Sequence, residues 1–110
     1  MNKAHYENNK EYYAKKARVN AKAYEASIRK FLGEYLLLHP CVDCGNGDLR
    51  VLEFDHVRGV KLFSISDAVR RQLSQKKIEE EILKCDVRCA NCHRIVTAER
   101  GGWHNSIMSL

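Results

Sequence analysis

Two pairs of cysteines carry the plainest chemistry in this sequence: Cys41-Val42-Asp43-Cys44 and Cys89-Ala90-Asn91-Cys92. A Cys-x2-Cys turn aims two thiolates at one spot, and tetrahedral zinc takes four soft ligands of this kind. One such turn alone would fit a redox motif equally well. Two of them, in a chain with five cysteines, predict a structural four-cysteine Zn2+ site; the competing reading is free core cysteines. Residues 45–88 lie between the two turns, more than a zinc finger usually has, so this segment must fold back to bring the pairs together. Cys85 is left over. It either pairs with Cys89 in a Cys-x3-Cys arrangement in place of Cys92, or lies buried without a ligand.

Harder ligands sit close by in sequence. Asp55-His56 falls between the two cysteine pairs, and His93 follows Cys92 directly. A carboxylate and an imidazole can hold one divalent cation with water positions left open, as a hydrolytic metal site requires. The remaining histidine, with an unperturbed pKa of about 6.5, would suit proton abstraction near neutral pH. The plainer alternatives are a turn with local hydrogen bonds at Asp55-His56, and a spare zinc ligand or exposed helix residue at His93. Neighbours on a regular strand point to opposite faces, so Asp55 and His56 share a site only if the strand breaks there.

These residues need elements to position them. Residues 1–39 contain no Pro and one Gly, and Ala14, Ala17, Ala21, Tyr24, Ile28, Phe31, Tyr35 and Leu38 recur at heptad spacing. That predicts one long amphipathic helix, its C-terminal half packed on the domain and its N-terminal half projecting; a coiled-coil dimer is the alternative. Pro40 ends it by disfavouring helical geometry at His39. Leu49–Phe54 reads as a strand and Val60–Ile65 as a second one, forming a hairpin across the Asp55–Gly59 bend. Ser64 or Ser66 would cap a short helix to Leu73. Ser74 would cap another, with Ile78, Ile82 and Leu83 on its buried side. Asn91–Arg100 reads as a last helix, ended by Gly101-Gly102. The expected class is α+β, in three parts: a basic helix over 1–39, a zinc-stabilised domain over 40–100 and a tail over 101–110.

Composition sets bounds. A chain of 110 residues, 45% hydrophobic and 30% charged, has room for one compact domain and excludes large multi-domain enzymes. The formal charge is +5, and residues 1–39 carry most of it, with eight Lys/Arg against four Glu. Four thiolates on one Zn2+ would lower the whole to about +3. The segment from Met1 to Lys16 is charged throughout and lacks a secretory apolar core, so a cytosolic setting with reduced thiols is expected.

The order Cys41-x2-Cys44, Phe54-Asp55-His56, Cys89-Ala90-Asn91-Cys92-His93-Arg94 resembles the zinc-containing HNH endonucleases of the His-Me finger superfamily. It is similar in particular to small phage-type HNH proteins with a basic N-terminal helix and a Cys-His-Arg helix ending in Gly-Gly-Trp. The motif core covers residues 41–94, and the looser likeness reaches Trp103. The resemblance implies a ββα-metal fold and hydrolysis of DNA phosphodiester bonds. His56 would activate water, Asp55 and His93 would hold Mg2+ or Mn2+, and the products would carry 5′-phosphate and 3′-hydroxyl ends. Lys84 stands where the family commonly has an Asn that shapes the loop carrying the base, and Thr97 where some relatives have a further metal-binding His.

Arg58, Lys61, Arg94 and Arg100 flank this region and are candidate phosphate contacts, with the basic helix lying along the duplex. No base-reading motif is visible, so low sequence specificity is expected. The competing function is a zinc-stabilised DNA-binding module with a decayed nuclease centre. DNA is the expected partner, with phage packaging machinery a further candidate, in the cytoplasm of a bacterial or phage-infected cell.

Overall fold

The computed structural model describes residues 9–108; residues 1–8 of the expected helix and 109–110 of the expected tail lie outside the described residues. Helix α1 runs Lys10–Leu38. Ile28, 2% exposed, is its buried residue, and Tyr24, Phe31, Leu32 and Tyr35 pack around the same core. The Tyr24 hydroxyl also donates to the carbonyl of Leu73 at 2.6 Å. The bulky part of the heptad seam is thus spent on the chain's own domain. Ala14 and Ala17 are exposed, and so is Leu38, contrary to its place in the seam. Alanines bury too little area to dock this stretch, and the molecule extends 72 × 29 × 23 Å. Ile28→Ala should cost about 2–5 kcal/mol, the usual range for emptying a buried aliphatic site, read as a lower urea midpoint. An unchanged midpoint would show that α1 is not part of the folding unit.

The strands differ from the expected hairpin. Strand β1 is Leu52–His56, and its partner is not Val60–Ile65 but β2, Cys85–Cys89. The two run antiparallel, with Leu52 opposite Cys89 and His56 opposite Cys85. Val60 and Leu62, the apolar residues that suggested a second strand, are 74% and 71% exposed. Their segment satisfies its backbone elsewhere: Lys84 donates its ammonium to the carbonyl of Val60, and Glu81 accepts the Leu62 N–H.

Ser64 caps α2 (Ile65–Arg70), accepting from the Asp67 N–H, and Ser74 caps α3 (Gln75–Ile82), accepting from the Lys77 N–H. Ile78 and Ile82 of α3 face inward as expected. Leu83 does not; it is 71% exposed, and Glu81 takes the buried position. Helix α4 (Ala90–Gly101) follows β2 directly and packs on both strands. Gly102 ends it at φ 69°, a left-handed conformation that favours glycine. The expected tail then forms α5 (Trp103–Met108).

The architecture is α+β. One core gathers Ile28, Ile65, Ala68, Ile78 and Ile82. A second gathers Leu52 and Val87 with Cys41, Cys89 and Cys92, and Tyr35 and Phe54 pack against both. Among the described residues, no helix is long and apolar enough to cross a membrane.

Candidate metal centre and the charged face beside it

Cys41, Cys44, Cys89 and Cys92 converge, each offering a sulfur within 4.8 Å of the others, so the cluster has the geometry to hold a metal ion. The Sγ atoms of Cys44 and Cys89 are 3.7 Å apart. A tetrahedron with Zn–S bonds of about 2.3 Å has edges of about 3.8 Å, so the donors fit zinc. Cys85 stays outside the cluster, its thiol donating to the carbonyl of Glu81 at 3.5 Å, and burial pushes it up to about 11. Of the two readings of the fifth cysteine, the buried, unliganded one matches the structure.

Backbone geometry assembles the cluster. The first turn closes through the Gly45 N–H donating to Cys41 and needs Gly45 at φ 77°. The Val42 N–H donates to the carbonyl of Val87, which ties this turn to β2. Cys89 is itself the N-cap of α4, its sulfur accepting from the Cys92 N–H. Burial works against a Cys41 thiolate, but the N–H groups of Cys89, Cys44 and Asp43 outweigh it and bring the group down to about 6. Cys92 is pushed the other way by its contact with the Cys89 sulfur and by burial. Sulfurs this close oppose one another's ionisation until a cation neutralises them.

The face of the sheet under α4 is charged. Glu53 and Asp55 project from β1 to the same side, the period of a strand, and both meet His93. The His93 Nδ1 lies 2.8 Å from the Glu53 carboxylate, and its Nε2 lies 3.5 Å from Asp55 Oδ1. Asp55 is 5% exposed and is also gripped by Arg88 at 2.7 Å and by Arg100 at 3.0 Å. Burial works against its charge, but Arg100 and Arg88 hold its carboxyl below the ordinary range. Two donor atoms sharing one octahedral ion at about 2.1 Å each lie about 3 Å apart, so Asp55 and His93 need only a small approach. The cation would have to take Oδ1 from Arg100, whose half-exposed side chain can swing into solvent.

His56 looks the other way. The expected break in the strand comes only after it, so Asp55 and His56 sit on opposite faces, as regular pleating dictates. The His56 Nε2 bonds Glu81 at 3.0 Å, and Glu81 is 1% exposed. Glu81 also accepts from the Leu62 N–H at 3.0 Å and from the Lys84 ammonium at 2.8 Å. Burial opposes its ionisation, but Lys84, the Leu62 N–H and His56 together hold it below the ordinary glutamate range. Lys84 also shapes the loop after β1. Its ammonium bonds Val60 at 2.7 Å and its carbonyl accepts from the Val57 and Arg58 N–H groups.

The four candidate phosphate contacts divide into two pairs. Arg58 bonds Asp86 and the carbonyls of Leu83 and Cys85, and Arg100 bonds Asp55, so both are engaged in the fold. Lys61 and Arg94 are exposed. The residues that sequence analysis missed are Glu53, Glu81 and Arg88. Glu53 was legible as the i−2 neighbour of Asp55. Glu81 was legible as a polar residue on the Ile78/Ile82 stripe. Arg88 had no local signal, because its partners Asp43 and Asp55 are distant in sequence. Comparisons with protein-family models, with curated proteins and with solved structures found no match for this chain.

Proposed function

We propose that this chain is a zinc-stabilised, metal-dependent endonuclease of the HNH type, which nicks or cleaves DNA with low sequence specificity. The observation that carries the reading is the approach of Asp55 and His93 on a ββα unit whose helix begins at the four-cysteine cluster. Zinc in that cluster would clamp the first turn of α4 to the sheet and so set His93 opposite Asp55. Asp55 and His93 would hold Mg2+ or Mn2+, which supplies charge neutralisation at the phosphate and the departing 3′ oxygen.

His56 is the general base in this reading. With its Nε2–H donated to Glu81, its Nδ1 lone pair is the one left for a water proton. The water oxygen forms the new bond to phosphorus, the water proton moves to His56, and the bond to the 3′ oxygen breaks as that oxygen takes a proton from solvent water. An in-line displacement puts nucleophile and leaving group on opposite sides of phosphorus. A base across the strand from the cation ligands is therefore compatible with a phosphate laid over the free edge of β1. Arg94 and Lys61, both exposed, would grip neighbouring phosphates.

One observation favours the second reading, a DNA-binding module without cleavage. Asp55 is already neutralised by Arg88 and Arg100. Nicking of supercoiled plasmid separates the two. The wild type should nick with Mg2+ or Mn2+, and His56→Ala should lose about a hundredfold or more, the lower range for removing a general base. Equal nicking by both proteins would sink the assignment of His56. DNA binding with no metal-dependent nicking would select the binding module.

A further inference from the structure

The cleft beside the charged face has a feature that the proposed hydrolysis does not use. It is an open surface cleft of about 550 Å³, lined by Glu53, His93, Arg94, Thr97, Ala98 and Trp103, together with Ala90. That volume falls within the roughly 300–1,000 Å³ typical of sites for small organic groups. Trp103 is the chain's one tryptophan, and it is 62% exposed. The left-handed Gly102 turns the chain back after α4, which brings the indole to the same cleft as His93. Arg94 stands one residue beyond His93 with no ion pair or hydrogen bond among the described residues, so its guanidinium is free for an anion.

We propose that this cleft is a binding site for one unpaired nucleobase of a DNA strand, with Trp103 stacking on the base and Arg94 on its adjoining phosphate. An open aromatic face beside an unpaired cation is the pairing that single-stranded nucleic acid selects, because every base offers a π-face and every linkage an anion. A duplex keeps its bases stacked on one another and offers the indole nothing. The site deepens the nuclease reading and rests on it for the identity of the ligand, since the same cleft holds Glu53 and His93. Glu53 opposes a phosphate at its own end of the cleft, which assigns the phosphate to the Arg94 end. The consequence is a preference for frayed, bulged or single-stranded DNA over intact duplex.

The lone tryptophan makes the test direct. Purified full chain, zinc-loaded and without Mg2+ or Mn2+, is titrated with a fluorescein-labelled oligothymidylate and separately with a blunt duplex of equal length. The expected results are quenching of Trp103 emission by the single strand in step with its anisotropy, and little quenching by the duplex. Trp103→Ala should weaken single-strand binding by about tenfold, as expected for one lost base stack. Trp103→Phe should retain most of the affinity. Arg94→Ala should weaken binding and lower the salt dependence by about one phosphate contact. Saturation by anisotropy without quenching, equal quenching by the duplex, or no binding of either DNA would each overturn the proposal. Because no cleavage is needed, loss of nicking alone would count against the nuclease reading and leave this site standing.

Discussion

Stripping the metal from the four-cysteine cluster is expected to unfold the sheet and α4. Three of the five buried residues in the second core, Cys41, Cys89 and Cys92, are members of that cluster, leaving Leu52 and Val87 as its buried aliphatics, with Tyr35, Leu36, Val51 and Phe54 only partly buried against them. So little apolar area cannot offset the entropy of ordering two strands and a helix. Structural zinc contributes on the order of 10 kcal/mol in apparent terms to small domains of this kind. Chelation should therefore abolish the near-ultraviolet circular dichroism and expose the amides of β1 and β2 to hydrogen exchange. Cys41→Ser should purify without its equivalent of zinc and without a cooperative melt. Cys85→Ser is the control: its sulfur lies outside the cluster, so it should keep the metal. A Cys41→Ser protein that stayed folded with a full equivalent of zinc would refute the site. Loss of metal should also free His93, since it directly follows Cys92 at the start of α4.

The second large effect is expected at Glu81. Its carboxylate is the shared acceptor for His56, the Leu62 N–H and Lys84, all in a site 1% exposed. Glu81→Ala leaves the Leu62 N–H without its partner and the Lys84 ammonium with the Val60 carbonyl but no counter-charge, and breaking a buried ion pair on one side costs about 3–5 kcal/mol. The segment from Val57 to Ser64 should loosen first, because Glu81 and Lys84 supply its anchors. Urea unfolding measures the loss; a midpoint within about 1 kcal/mol of wild type would show the network to be dispensable.

The same carboxylate gives the protein an acid limb. Glu81 and Asp55 both have folded values below their ordinary 4.5 and 3.8. Groups depressed in the folded state contribute fully above the unfolded value and lose that contribution as pH falls through the folded one. The contribution of these two carboxylates should thus be flat from neutral pH down to about pH 5 and decline below it. Glu81→Gln should flatten that decline. An unchanged acid limb in Glu81→Gln would assign it to the depressed aspartates, Asp55, Asp48 and Asp67.

Much of the chain was legible because its signals are local. The capping serines Ser64 and Ser74 act within one turn, Pro40 and Gly102 stop helices by their own backbone preferences, and the two Cys-x2-Cys turns form from adjacent residues. The partner of β1 was not legible. Val60 and Leu62 have the alternation of a strand, but so does Cys85–Cys89, and only the second pairing brings Val87, and with it Cys89, to the first cysteine turn. The cluster overrode the short hairpin. Leu83 was misplaced for a similar reason: Ile78 sets the inward stripe of α3 at Glu81 and Ile82, and Glu81 is tolerated there because three donors meet it.

By itself the sequence determined the helix of 10–38 and the two Cys-x2-Cys turns that meet, and it singled out Asp55 and His93 as candidates for one site. Tertiary structure decided the rest. It set His56 on the opposite face of β1, because the strand runs regularly through it. It gave Arg88 and Arg100 to Asp55 and gave Lys84 to the loop beyond β1. Those partners lie 24 to 45 residues apart in the chain. No local periodicity encodes which of many arginines or lysines reaches a given carboxylate or carbonyl; only the packing of α3 and α4 on the sheet does.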